Sequence, residues 1–137
     1  SLRKRIVFLG ELIQLLGLSN VDIVWGRAEE LAQNAKYRGQ FDVVIARAVA
    51  PLNVLTELCL PFARIGGCFL AMKGPKAEEE VAAATNAFKI LGGKVRATTS
   101  ITLPILNELR SVVRIGKIAD TPRAYPRKAG IPERQPL

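Results

Sequence analysis

The chain has 137 residues, 49% of them hydrophobic and 23% charged, the proportions of one globular domain or part of one. It contains no histidine, and its two cysteines, Cys59 and Cys68, share no CxxC spacing, which argues against a zinc site and removes the commonest general base. The formal net charge of +8 is uneven, with Arg3-Lys4-Arg5 at the start and Arg110, Arg114, Lys117, Arg123, Arg127, Lys128 and Arg134 opposed only by Asp120 and Glu133 towards the end. That distribution points to a polyanionic partner, with nucleic acid first among them.

No apolar run approaches the ~20 residues of a membrane span. The opening SLRKRIVFLG lacks the apolar region and cleavage site of a signal peptide, so a cytoplasmic location is expected. Residues 2–16 place Leu2, Ile6, Leu9, Leu12, Ile13 and Leu16 at helical spacing, with Gly17 as a C-cap. Residues 21–24 read as a short strand, followed by a helical stretch around Leu31. The run Val43-Val44-Ile45-Ala46 is unbroken, the pattern of a strand covered on both faces in a parallel sheet. Arg47 stands at its end. In open α/β sheets ligands bind outside the carboxyl ends of strands, which makes Arg47 the first candidate site residue.

A helix is expected from about Leu52 to Ala63, ended by Gly66-Gly67, then a strand over residues 68–72. AEEEVAAATNAFKILGG reads as one helix with Glu78, Glu79 and Glu80 in its first turn and Gly92-Gly93 at its end. From Lys94 to Leu103 the pattern alternates strictly, and a second strand is expected over residues 111–118. With no helix between them these two should pair antiparallel. The whole reads as an α/β sheet, mostly parallel, that ends in an antiparallel hairpin, over residues 1–120. Residues 121–137, with Pro122, Pro126, Pro132 and Pro136, read as a basic, proline-rich, extended and poorly packed tail.

A doubly wound sheet opens on a strand and a glycine-rich turn, and neither precedes the first helix here. The segments SLRKRIVFL, WGRAEEL, FDVVIARAVAPLNVLTELCLP, FLAMKG and TPRAYPRKAGIP closely resemble the small-subunit ribosomal RNA guanine-N7 methyltransferase G family, also called glucose-inhibited division protein B. RAEE, ARAVAPL and YPRKAG are specific to that family rather than to methyltransferases at large. Its members are longer at the front, so the chain is similar to the C-terminal portion of such an enzyme. The resemblance implies a class I, Rossmann-like S-adenosylmethionine-dependent fold of strand order 3-2-1-4-5-7-6, here without its first strands and glycine-rich turn. It also implies methylation at N7 of a guanine in 16S ribosomal RNA, with the small ribosomal subunit as partner and no membrane. N7 carries a lone pair and no proton, so no catalytic acid, base or covalent nucleophile is expected, and no metal.

Carried over by motif, the resemblance implies cofactor contacts at Ser1 and Leu2, at Ala28 and Glu29, and at Arg47, whose guanidinium suits a carboxylate or a phosphate. From the residues themselves, Lys73 at the end of the next strand, facing the same crevice, and Arg123, Tyr125, Arg127 and Lys128 of the basic tail are the expected RNA contacts. Plainer readings stand beside these: Glu29 as a helix-start charge, Arg47 as a strand-end arginine paired with Asp42 or Glu29, and the tail as a solubilising segment. Two other functions fit the residues, an RNA-binding module without activity and a nucleotide-dependent oxidoreductase. The terminal hairpin and the absent dinucleotide glycines argue against the second. For the intact enzyme a monomer is expected; for this portion alone, self-association and little cofactor binding.

Overall fold

The computed structural model describes residues 3–47 and 50–137. In chain order it has α1 (Arg3–Leu15), α2 (Ala28–Leu31), β1 (Phe41–Arg47), α3 (Leu52–Cys59) continued by a 3-10 turn (Leu60–Phe62), β2 (Ala63–Lys73), α4 (Ala77–Ala83), α5 (Thr85–Leu91), β3 (Gly93–Leu103), β4 (Glu108–Lys117) and α6 (Ile131–Arg134). The four strands form one sheet in the order β1-β2-β4-β3. β1 and β2 are parallel, and β4 runs antiparallel to both β2 and β3. This is the 4-5-7-6 half of the expected order, with the hairpin's second strand inserted between the first and β2.

One face of the sheet holds the core. Phe69 and Ala71 of β2 stand beside Ile115 and Val113 of β4, all four without solvent exposure. Leu52, Leu55 and Leu60 come down on them from α3 and its turn, and Ala84, Ala87 and Leu91 from the helical segment after β2. α3 touches helices and strands on nearly every side, which is why Val54, Thr56 and Glu57 are buried along with its apolar stripe. Complete burial of each large apolar side chain contributes roughly 1.5–3 kcal/mol.

The opposite face is open. Alternation along β1 sends Val44 and Ala46 to the core but leaves Val43 and Ile45 exposed at 49% and 59%. β1 is also an edge strand, paired on one side only. α1 has no buried residue, and Val7, Phe8 and Leu15 are exposed on it.

Several local expectations are corrected. Residues 21–24 are not a strand: they join no ladder, because a strand needs a neighbour and none is present among the described residues. α3 ends at Cys59, and Gly66-Gly67 lie inside β2 rather than closing a helix. There the register shifts between Phe41 and Val43, Gly66 takes φ +85°, and a Cβ on Gly67 would lie 2.6 Å from the Asp42 carbonyl oxygen. The glutamate-led helix is two helices broken at Ala84 (φ −90°, ψ 4°). The strict alternation of β3 is interrupted by a register shift between Val95 and Ala97, so Val95 and Thr98, three residues apart, are half-buried.

The tail is packed. Thr121, Pro126 and Pro132 are buried, and Tyr125 and Leu137 rest on the edge of the core. Hydrogen bonds from Arg38 to its backbone and from Arg127 to Glu57 also hold it. Among the described residues, no helix is long and apolar enough to cross a membrane.

Candidate functional site

Arg47 closes β1 at the carboxyl end of the parallel pair, opposite Met72 of β2. A cavity of about 670 Å³ opens there, lined among others by Arg47, Met72, Ile101, Leu103, Leu106 and Arg110, and by Lys73 and Ser111. Neither alternative partner engages Arg47. Asp42 is paired with Arg64 at 2.6 Å, and Glu29 with Arg27 at 3.5 Å. The Arg47 guanidinium forms no ion pair among the described residues.

Lys73 shares this cavity but is committed elsewhere. Its side chain is 6% exposed, with Nζ 2.6 Å from Glu80 Oε2 and donating to the Ala50 carbonyl at 2.9 Å. The same Glu80 oxygen accepts the Leu52 backbone N–H at 2.9 Å. One carboxylate from α4 therefore fixes the start of α3, and one ammonium from β2 fixes Ala50. Lys73 thus braces Ala50, just before α3.

A second cavity, of about 610 Å³, brings Glu29 together with Arg127 and Lys128, along with Gln33, Ala124 and Pro126. Glu29 is 8% exposed and Ala28 half-buried beside it at the start of α2. The expected cofactor and RNA residues are therefore sorted differently from their motifs: Glu29 with the tail, Arg47 with Lys73 and the hairpin. Ser1 and Leu2 lie outside the described residues.

Within the tail, Arg127 binds Glu57 rather than facing solvent. Its Nη2 lies 2.6 Å from Oε2, its Nε 2.9 Å from Oε1, and its backbone N–H donates to Oε1 at 2.8 Å. The hydrogen bonds to Glu57 raise the Arg127 pKa further. Tyr125 lies under the Arg127 guanidinium at 5.8 Å, while Arg123, Lys128 and Arg134 are exposed. Two arginines anchor this segment, and the second, Arg38, is absent from the sequence reading. Its Nη1 donates to the carbonyls of Ala32 and Tyr125 at 3.0 and 2.8 Å, and its Nη2 to those of Thr121 and Pro122 at 2.7 and 3.1 Å. Burial lowers its pKa, with Arg123 adding to the effect. Glu57 was also missed, although it left a signal: a charge within the apolar helix LNVLTELC.

Residues 1–109 match the family model for rRNA small subunit methyltransferase G. Over all 137 residues the chain is 52% identical to the ribosomal RNA small subunit methyltransferase G of Lactobacillus delbrueckii subsp. bulgaricus and 50% identical to that of Pelotomaculum thermopropionicum. The chain belongs to the ribosomal RNA small subunit methyltransferase G family. It spans 57% of the length of these relatives. Among solved structures it is similar to M. jannaschii TYW2, solved in complex with AdoMet, with a TM-score of 0.63 at 16% identity over 86% of this chain and 56% of that one. The sheet is therefore of the Rossmann-like methyltransferase kind.

Within a methyltransferase G chain, the two cavities define what these residues can do. At the strand ends, a guanidinium without an ion-pair partner and a largely apolar wall suit an anionic group attached to a flat or apolar body. At α2, a shielded carboxylate that lines the second cavity suits hydroxyl or amine donors. Cys59, whose thiol burial raises to about 12, has no place in the chemistry.

Proposed function

We propose that the whole protein to which these residues belong methylates N7 of a guanine in 16S ribosomal RNA, with S-adenosylmethionine as donor and the small ribosomal subunit as partner. The observation that carries this is identity near 50% to methyltransferase G proteins along every residue of the chain. The donor chemistry of the site is compatible with the cofactor. Arg47 offers a planar fork of N–H donors for the cofactor carboxylate, and Glu29 offers acceptor oxygens for ribose or adenine N–H and O–H groups.

When bound, S-adenosylmethionine supplies an electrophilic methyl group. The protein's task is alignment and exclusion of water, because guanine N7 presents a lone pair and no proton. Arg47 orients, the apolar wall of its cavity dries the site, and Lys73 with Glu80 holds Ala50 and the start of α3. No side chain has to move a proton. A non-catalytic RNA-binding role draws less support, because Arg127 and Arg38 are engaged within the chain.

The test is single-turnover methyl transfer to the small subunit by the full-length enzyme. Borohydride-dependent strand cleavage would locate the 7-methylguanine. Arg47→Ala should lower the rate by about tenfold or more, with weaker cofactor binding in calorimetry. An unchanged rate would remove Arg47 from the site.

A further inference from the structure

The tip of the β3–β4 hairpin exposes apolar side chains that the fold does not use. Ile105 is fully exposed, Leu106 65% and Ile101 56%, around an Asn107 held at φ +50°. None of these residues packs on the core, and exposing such a cluster is unusual without a partner. The cluster is not isolated. Ile101, Leu103 and Leu106 form one wall of the 670 Å³ cavity, Arg110 stands beside them, and Arg47 closes it from β1. A volume of this size accommodates a ligand of nucleotide scale.

We propose that this cleft seats the acceptor nucleotide of the RNA, its base extruded against Ile101, Leu103 and Leu106 and its phosphodiester on Arg110. The proposal rests on the methyltransferase reading above and adds to it the residues that grip the substrate. The wall chemistry selects the occupant. Apolar side chains suit the π-face of a base taken out of its stack, and a guanidinium beside them suits the adjoining phosphate. Lys73, though in the same cleft, is neutralised by Glu80 and is not the phosphate contact. Among the described residues Arg110 forms its ion pair with Glu108, and both side chains are 48% exposed, so this pair is weak and exchanges readily for a phosphate. The net charge of +8 attracts the polyanion to the cleft.

The test uses the full-length enzyme with Arg110→Ala, Leu106→Ser and, as a control of equal charge loss away from the cleft, Arg96→Ala. Arg110 and Leu106 are exposed, so neither substitution threatens folding. Arg110→Ala should weaken binding to small-subunit RNA about tenfold and reduce its salt slope by about one. Leu106→Ser should lower the single-turnover rate about tenfold at saturating RNA, from loss of contact with the base. Cofactor affinity should be the same in all four proteins. If Arg110→Ala and Leu106→Ser behave as Arg96→Ala does in both measurements, the cleft is not the nucleotide seat, while transfer by the wild type keeps the methyltransferase reading. A wild type that binds the RNA and never methylates it overturns that reading instead, and the binding arm alone then decides the cleft.

Discussion

Glu57 lies 1% exposed in α3, and three nitrogens of Arg127 supply its hydrogen bonds from 70 residues away. Arg127→Ala would leave a buried carboxylate without its counter-charge, a loss of about 3–5 kcal/mol. Urea denaturation should show the midpoint falling sharply, and Arg127→Met combined with Glu57→Gln should recover much of it. An Arg127→Ala protein with a wild-type midpoint and reduced RNA affinity would return Arg127 to the RNA surface. Residues differ in how far the sequence announces them. Arg47 was legible because a strand end is a local pattern: an apolar run, then a charge. The partner of Arg127 was not, since nothing in YPRKAG indicates that a carboxylate in α3 waits for it. The basic tail was therefore read as solvated when two arginines hold it to the body.

Elements were legible where their signal is periodic and obscured where a single side chain interrupts the period. The segment AEEEVAAATNAFKIL has helical composition throughout, yet Thr85 bonds back to the Ala82 carbonyl at 2.9 Å and the backbone leaves the helix at Ala84. The bulge in β3 is likewise invisible in its alternation. The seam between α5 and β4 is closed by Lys117, whose ammonium donates to the Leu91 carbonyl at 2.9 Å and to the Thr121 hydroxyl. Burial lowers the Lys117 pKa to about 8, with Arg38 contributing and Asp120 opposing. Between pH 8 and the ordinary lysine range near 10.5, the unfolded chain holds a proton that the folded chain has released. Stability from this group therefore rises with pH across that window, and below pH 8 the full penalty of the buried charge is present. Compared with Lys117→Met, the wild type should gain stability as pH rises from 8 to 10, measured by denaturant midpoints. A difference between the two that does not change with pH would sink the assignment.

At the scale of the whole molecule, the sheet is finished on one face and one side only. Strand order and the placement of the hairpin were legible through the family motifs; the extent of the bare surface was not, because composition does not say which apolar residues find partners. Val43 and Ile45 on the open face, the free edge of β1 and the exposed apolar side chains of α1 are features of the kind that drive association. These 137 residues alone should sediment with a concentration-dependent mass and bind S-adenosylmethionine weakly or not at all. Micromolar cofactor binding by a monomer would contradict both expectations. The position of β4 carries a consequence for how the protein is made. It follows β2 and β3 in the chain, and it belongs between these two strands, both synthesised before it. Until residues 108–117 emerge, β2 and β3 each wait with an unmatched edge, and a single insertion then seals both. A message cut short anywhere upstream of that strand thus yields a sticky fragment for the proteases, not a smaller working protein.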